Sequence, residues 1–151
     1  MLFRSQPHYK GGRGYQPMLA VWAETLLVLA DEYRDGNVPA GMAPLTVCKR
    51  AFRTLPPTVE QFYYRADSAS YEWELIKWLR DERRPDGPRG FIGFAISADM
   101  SKELRAAIEA LPASDWTPYK APGQPVDQER DWAEVAFVPS EPYEGFAAHE
   151  K

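Results

Sequence analysis

Two stretches of the chain pass from an apolar run directly into a helical pattern, and this order restricts the fold more than any other feature. They are FYYRADSASYEWELIKWL at residues 62–79 and FIGFAISADMSKELRAAIEAL at residues 91–111. A strand that is followed by a helix and a second strand normally pairs in parallel with that strand through a right-handed crossover. The sequence therefore predicts an α/β protein with a parallel strand pair.

The segment before these units favours an antiparallel hairpin. MLAVWAETLLVLADEY at residues 18–33 contains two apolar runs with a polar break, and RDGN at residues 34–37 is a turn signal. Helix stays open here, because Leu, Ala and Glu are good helix formers. The remaining predicted elements are helices at 43–55, 70–83 and 102–111 and strands at 59–66, 91–97 and 132–139. Together these elements predict a mixed sheet flanked by helices, in which strand 91–97 is covered on both faces.

Asp67 and Asp99 follow the two predicted parallel strands, at the edge where open α/β sheets bind ligands. Both have a plain structural explanation, because aspartate is a favoured helix N-cap. Ser68 and Ser70 are better placed than Asp67 to cap the next helix, which leaves Asp67 free for another role. Adjacent strands lie about 4.8 Å apart, so the two carboxylates can also share a metal ion.

Composition excludes several classes of protein. The single cysteine, Cys48, excludes an internal disulfide framework, and its place on the apolar face of a helix predicts a core residue. No apolar run approaches the roughly 20 residues that cross a bilayer, so a cytoplasmic protein without a membrane partner is expected. The net charge of −4 disfavours a stand-alone nucleic-acid binder. His8 and His149 have no ligand spacing, and KGGRG at residues 10–14 favours a hairpin or loop over a phosphate cradle.

Five blocks resemble a known family when they are taken in order. They are YKGGRGYQPMLAVWAET, VLADEYRDGNVPAG, FYYRADSASYEWELIKWL, GFAISADMS and WAEVAFVPSE, within residues 8–140. Together they resemble the catalytic domain of bacterial insertion-sequence transposases of the DDE class, which has an RNase H-like fold. The resemblance implies that three acidic residues hold two Mg²⁺ or Mn²⁺ ions, which cleave and join transposon-end DNA. The RADS block matches the second of these acids, which makes Asp67 the implied catalytic residue and metal ligand.

The departures from the family pattern imply an incomplete core. Residues 1–16 contain no acid where the family's first aspartate strand is expected, and the last catalytic helix with its glutamate has no counterpart. Residues 1–119 are then a partial RNase H-like core, and residues 120–151 are the start of an insertion or a tail. Such a fragment is expected to be inactive by itself.

Two alternatives to a transposase fragment stay open. The first is a non-catalytic interaction protein that pairs, for example as a homo-oligomer, through an exposed sheet edge. The second is a small metal-dependent nuclease that uses Asp67 and Asp99. One basic cluster is either a solvated helix end or a contact to the DNA backbone; it consists of Arg80, Arg83, Arg84 and Arg89. One of Trp73 and Trp78 is expected in the core and the other on a partner-facing surface, and the sequence pattern does not show which is which.

Overall fold

The structure, a computed structural model, describes residues 5–8 and 10–136. Within that part it is a mixed α/β protein with three α-helices and four two-stranded sheets. The chain divides into two compact units, Met1–Asp99 and Met100–Lys151. The domain boundary expected after residue 119 falls inside the second of these units.

The first unit contains six strands and two α-helices. They are β1 (Gln6–Pro7), β2 (Arg13–Gly14), β3 (Met18–Trp22), β4 (Leu27–Glu32), α1 (Pro44–Thr54), β5 (Phe62–Ala66), α2 (Trp73–Arg80) and β6 (Ile92–Ile96). A 3₁₀ turn, Ser68–Ser70, lies between β5 and α2. The second unit contains α3 (Lys102–Glu109), a 3₁₀ turn (Ala113–Asp115), β7 (Thr117–Lys120) and β8 (Val126–Trp132).

The predicted antiparallel hairpin is confirmed as β3 and β4, and the helical alternative for this segment is wrong. Met18 pairs with Glu32 and Trp22 pairs with Leu27, with a bulge between Ala20 and Val21. Exposure alternates along β3, as expected for a strand with one face on a core. Valine and tryptophan suit such a pleated, half-buried surface better than they suit a helix, which explains why good helix formers nearby did not decide the structure.

The predicted parallel pair is also confirmed. Phe62 of β5 lies opposite Ile92 of β6, and the register continues to Ala66 opposite Ile96. The helices α1 and α2 supply the core beneath this pair, whose buried members are Cys48, Leu75, Trp78, Leu79 and Ile92. The expectation that β6 is covered on both faces is not met, because Phe94 is exposed.

One mixed sheet was expected, but the described strands form separate pairs. β3 pairs only with β4 and β5 pairs only with β6 among residues 5–8 and 10–136. The helix α1 instead packs on both pairs, through Val47 and Ala51 towards the hairpin and through Cys48 towards the β5–β6 pair. The two pairs are therefore joined by a helix and not by a shared hydrogen-bond ladder.

The strand predicted at residues 132–139 is wrong over residues 133–136, and only its first residue, Trp132, is in a strand. β8 ends at Trp132, residues 133–136 have no regular secondary structure, and residues 137–139 lie outside the described residues. The preceding hairpin was missed because β8, VDQERDW, has no apolar alternation. The turn of this hairpin does have a sequence signal, the pair Pro122-Gly123. In the structure Gly123 has φ 74°, and the Gln124 N–H donates to the Ala121 carbonyl at 3.1 Å.

The helices of the described residues are short. α1, with 11 residues, is longer than α2 and α3, and none of the three has the length and apolar content that would let it cross a membrane.

Leu79 provides a test of the core. Its side chain is 1% exposed, so Leu79→Ala should lower the free energy of unfolding by about 2–5 kcal/mol through lost burial and the cavity left behind. Leu27→Ala is the matched control, because Leu27 is 58% exposed and its truncation should change the free energy by less than about 1 kcal/mol. Urea unfolding followed by circular dichroism measures both. Equal losses in the two variants would contradict the assigned core.

Candidate functional site

Asp67 lies directly after β5, at the carboxyl end of the parallel pair, as the sequence predicted. Its Oδ1 accepts a hydrogen bond from the Ala69 N–H at 3.2 Å, which caps the 3₁₀ turn. The expectation that Ser68 or Ser70 caps the next helix is wrong. The α2 cap is Glu72, whose two carboxylate oxygens accept from the N–H groups of Glu74 and Leu75, each at 2.8 Å. Asp67 therefore caps the 3₁₀ turn, and its carboxylate does so through one long hydrogen bond to Oδ1.

Asp99 is exposed and follows β6 by three residues. It does not cap α3, because the Ser101 hydroxyl accepts from the Leu104 N–H at 3.1 Å. Burial raises the pKa of the Tyr71 phenol, and the charge of Asp99 raises it further. The charge of Asp67 likewise adds to the raised pKa of Tyr64, whose main cause is burial. The two carboxylates thus each lie near a tyrosine.

The described residues contain no group of three or more His, Cys, Asp or Glu side chains that could hold a metal ion. Asp67 and Asp99 therefore form at most a pair at the end of β5 and β6. A useful Mg²⁺ site normally adds further carboxylates or substrate phosphates. The described residues therefore do not supply the ligands for two ions.

The four arginines of the predicted basic cluster differ in their exposure to solvent. Arg80, Arg83 and Arg89 are exposed, whereas Arg84 is 0% exposed and cannot reach a phosphate in this conformation. Its guanidinium donates to the carbonyls of Trp78 at 3.0 Å, Leu79 at 2.9 Å, Gly90 at 2.9 Å and Pro88. Burial lowers the pKa of Arg84, while the charges of Asp81 and Glu82 oppose that shift.

Arg84 joins the end of α2 to the loop that leads into β6. The last carbonyls of a helix have no partner within the helix, and a cation there is favoured by the helix dipole. Its guanidinium also lies 5.3 Å from the centre of the Trp78 ring. This role could not be predicted, because DERRPDGPRG at residues 81–90 has the composition of an exposed loop.

A second polar cluster closes the same loop. The Asp86 carboxylate accepts from the Trp78 indole N–H at 2.7 Å and pairs with the Lys49 ammonium at 2.6 Å. The hydrogen bonds from Lys49 and from Trp78 hold the pKa of Asp86 below its ordinary value. Gly87 is required here, since a Cβ at that position would lie 2.4 Å from the Trp78 ring. Trp78 is therefore the core tryptophan that the sequence left unassigned, and Trp73 is exposed.

A cleft of about 500 Å³ lies between β3 and β5. Both strands line it along their length, and α1 forms its floor with the buried side chains of Val47, Cys48 and Ala51. We call this feature the β3–β5 cleft. Burial raises the pKa of the Cys48 thiol to about 12, so this cysteine is a neutral core residue, as predicted. The cleft was not predicted as a site, although an exposed sheet edge was.

The strands on the two sides of the β3–β5 cleft run in opposite directions. α1 ends beside the start of β4, where the Thr54 hydroxyl donates to the Leu29 carbonyl at 3.2 Å. α1 begins beside the end of β5, because a Cβ on Gly41 would lie 3.0 Å from the Ala69 carbonyl oxygen. α1 is thus antiparallel to both β4 and β5. Since β3 is antiparallel to β4, it is also antiparallel to β5.

Arg34 lies at one end of the β3–β5 cleft and is 7% exposed. Its guanidinium donates to the carbonyls of Met42 at 2.8 Å, Ala40 at 3.4 Å and Pro39 at 3.5 Å. Its Nε–H is buried and has no acceptor, and no carboxylate of the described residues lies within ion-pair distance. A buried cation without a counter-ion is costly, which marks Arg34 as incompletely satisfied.

The N-terminal candidates are structural. The predicted hairpin at residues 10–14 is confirmed, since the His8 N–H donates to the Gly12 carbonyl at 2.8 Å and β1 pairs with β2. The His8 Nδ1 accepts from the Lys10 N–H at 3.1 Å, and the ring is half-buried and packs near Gly12 and Gly14. His149 lies outside the described residues.

The chain was also compared with known proteins. No family model, no curated protein and no solved structure matches it.

The Asp86 cluster predicts a pH dependence of stability. A carboxyl whose pKa is lowered by folding stabilises the folded state above its unfolded pKa, and this contribution is lost as the pH falls through the folded pKa. Urea midpoints should therefore fall as the pH drops below the ordinary aspartate pKa of 3.8, and they should fall less steeply in Asp86→Asn. Lys49→Gln, which removes the partner charge, should flatten the profile in the same direction. Parallel profiles in all three chains would contradict this assignment.

Proposed function

We propose that the chain is an incomplete RNase H-like core related to DDE-class transposases and that it does not cleave DNA by itself. The observation that carries the proposal is the position of Asp67, at the carboxyl end of a parallel strand pair and after an antiparallel hairpin. This is the element order that the resemblance of the five sequence blocks implies. A cytoplasmic location in a bacterial cell, with access to DNA, fits the same proposal.

The lack of activity follows from the ligand set. Two-metal catalysis needs carboxylates on two ions about 3.5–4 Å apart, so that the attacking and leaving oxygens are stabilised together. Asp67 and Asp99 supply two carboxylates, and Asp67 also caps the turn that follows it. Arg80, Arg83 and Arg89 are exposed and can contact a DNA backbone, but the chain carries a net charge of −4. DNA binding by these arginines should be weak and should fade steeply with salt.

We predict no nicking or joining of transposon-end DNA by the purified chain in Mg²⁺ or Mn²⁺, and at best millimolar metal affinity. The assay compares the native chain with Asp67→Ala and Asp99→Ala, with folding checked by circular dichroism. Metal-dependent cleavage that disappears in Asp67→Ala would overturn the inactivity. Loss in both variants would instead support the nuclease alternative, in which the two carboxylates share an ion.

We propose as a second function that the chain is a binding module that pairs through its sheet edges. The observation that favours it is the β3–β5 cleft, where two strands face each other without a ladder between them. A two-stranded sheet is marginally stable alone, and an exposed strand edge presents unpaired N–H and C=O groups. Exposed apolar side chains on β3 add to this tendency, namely Leu19 and Val21. This function needs no metal and no DNA.

Self-association is the first expectation from such edges. Sedimentation velocity should show dimers or larger species at moderate concentration, because edge pairing and apolar burial both favour association. Val28→Lys should shift the chain toward monomer, since Val28 is exposed on β4, which pairs only with β3 among the described strands, and a lysine on an edge strand disfavours pairing. Leu26→Lys is the matched control, because Leu26 is exposed in the turn between β3 and β4. A monomer at the highest concentrations would contradict self-association.

A further inference from the structure

We infer that the β3–β5 cleft is a receptor for one extended polypeptide segment from another chain and that Arg34 binds an acidic side chain of that segment. The inference rests on the second function proposed above and deepens it. That function states that the sheet edges bind a partner, and this inference states which class of partner fits and which residue recognises it.

The first step concerns the shape of the occupant. A segment between β3 and β5 must form hydrogen bonds on both of its edges, one ladder to each strand. Because β3 and β5 run in opposite directions, one ladder is parallel and the other antiparallel whichever way the segment enters. β5 has five residues and spans about 17 Å at 3.3 Å per residue, so a segment of similar length completes both ladders.

The second step excludes a folded copy of this chain as the occupant. Every strand of the described residues already pairs with a neighbour along one edge. Such a strand has only one edge left, whereas the β3–β5 cleft requires two. A segment that is not part of a sheet has both edges free and meets this requirement, and known peptide receptors likewise bind extended segments through main-chain hydrogen bonds.

The third step concerns the side chains of the occupant. Side chains alternate between the two faces of a strand, so every second one points to the α1 floor of Val47, Cys48 and Ala51. This floor is buried and uncharged, and it suits apolar side chains of small or medium size. On the other face the neighbours are exposed residues, including Tyr63 and Arg65 of β5, and polar side chains are tolerated there.

The fourth step assigns the charge. Arg34 lines the β3–β5 cleft near the end of β5. Two of its hydrogen bonds are long, at 3.4 Å to Ala40 and 3.5 Å to Pro39, and its Nε–H has no acceptor. A small rotation of the guanidinium exchanges these long bonds for a carboxylate. Arginine forms short, charge-assisted and often bidentate bonds with carboxylates, which would meet both the missing acceptor and the missing counter-ion.

The test uses three synthetic peptides with fluorescent labels and the full-length chain. The first alternates valine and threonine over seven residues between two terminal aspartates, which lets either strand direction present a carboxylate to Arg34. The second replaces both aspartates by asparagine. The third keeps the aspartates and replaces the valines by proline, which removes N–H groups from the ladders. Fluorescence anisotropy measures binding, and amide hydrogen exchange locates it.

The first peptide should bind below 1 mM and should slow amide exchange in β3 and β5 but not in β7 and β8. The asparagine peptide should bind about tenfold more weakly, because a neutral acceptor replaces a charged one. The proline peptide should not bind. Arg34→Gln should remove the preference for aspartate and Arg34→Lys should keep part of it, while Arg50→Gln, on the exposed side of α1, should bind as the native chain does.

Three results would overturn the inference. They are no binding of the first peptide at 1 mM, equal binding of the proline peptide, and an aspartate preference that survives in a folded Arg34→Gln chain. If circular dichroism shows that Arg34→Gln does not fold, the aspartate and asparagine peptides on the native chain decide the role of charge alone. A monomer in sedimentation that binds the first peptide would remove self-association and leave this inference standing.

Discussion

The parallel pairing of β5 and β6 depends on the connection between them, and Arg84 holds that connection in place. A parallel pair cannot be joined by a tight turn, so the chain must leave the sheet, form α2 and return through a loop. Arg84 donates to carbonyls at the end of α2, Trp78 and Leu79, and to carbonyls of the loop, Pro88 and Gly90. Burying a cation is costly and its hydrogen bonds offset that cost, so the four carbonyls that accept from Arg84 favour keeping the helix end and the loop together.

The packing of α1 and α2 explains why one side of the β5–β6 pair is covered, whereas the other side borders the β3–β5 cleft. α2 and its loop cover one end of the β5–β6 pair and contribute Leu75 and Leu79, which are fully buried. On the other side α1 carries the β3–β4 hairpin through Ala30, Val47 and Ala51. Because a helix makes the contact, no hydrogen-bond ladder between described strands joins the facing edges of β3 and β5. The β3–β5 cleft is therefore the gap between two strand pairs that pack on the same helix, α1.

Much of the fold could be predicted because local sequence patterns determine most of its helices and strands. Apolar runs, helical spacing and breaks at proline and glycine gave every helix of the described residues and the strands β3 to β6, with boundaries that differ by a few residues. β8 could not be found in this way, since an exposed hairpin strand can consist almost entirely of charged and polar residues. Asp67 was placed correctly at the end of β5, because its position depends only on where the strand stops.

The roles of the arginines could not be predicted, and the reason is physical. Whether an arginine is buried depends on carbonyl groups that other segments bring to it, and sequence composition does not report those positions. DERRPDGPRG has the composition of a solvated loop, yet Arg84 inside it is among the most buried side chains of the first unit. Arg34 likewise sits in what the sequence marks only as a turn, RDGN. Asp86 gained its partners Lys49 and Trp78 by the same kind of convergence.

Comparison of the two buried arginines separates stability from binding. Both are almost completely removed from water, so both cost the folded state a desolvation penalty. Arg84 meets that cost with short bonds from all of its nitrogens and a contact with the Trp78 ring. Arg34 has one short bond, to Met42, and an Nε–H with no acceptor. The penalty at Arg34 is therefore only partly offset within the described residues, and under the inference above a carboxylate in the β3–β5 cleft would offset more of it, less the cost of its own desolvation. Arg84, whose nitrogens all have acceptors, stabilises the fold without leaving a donor for a partner.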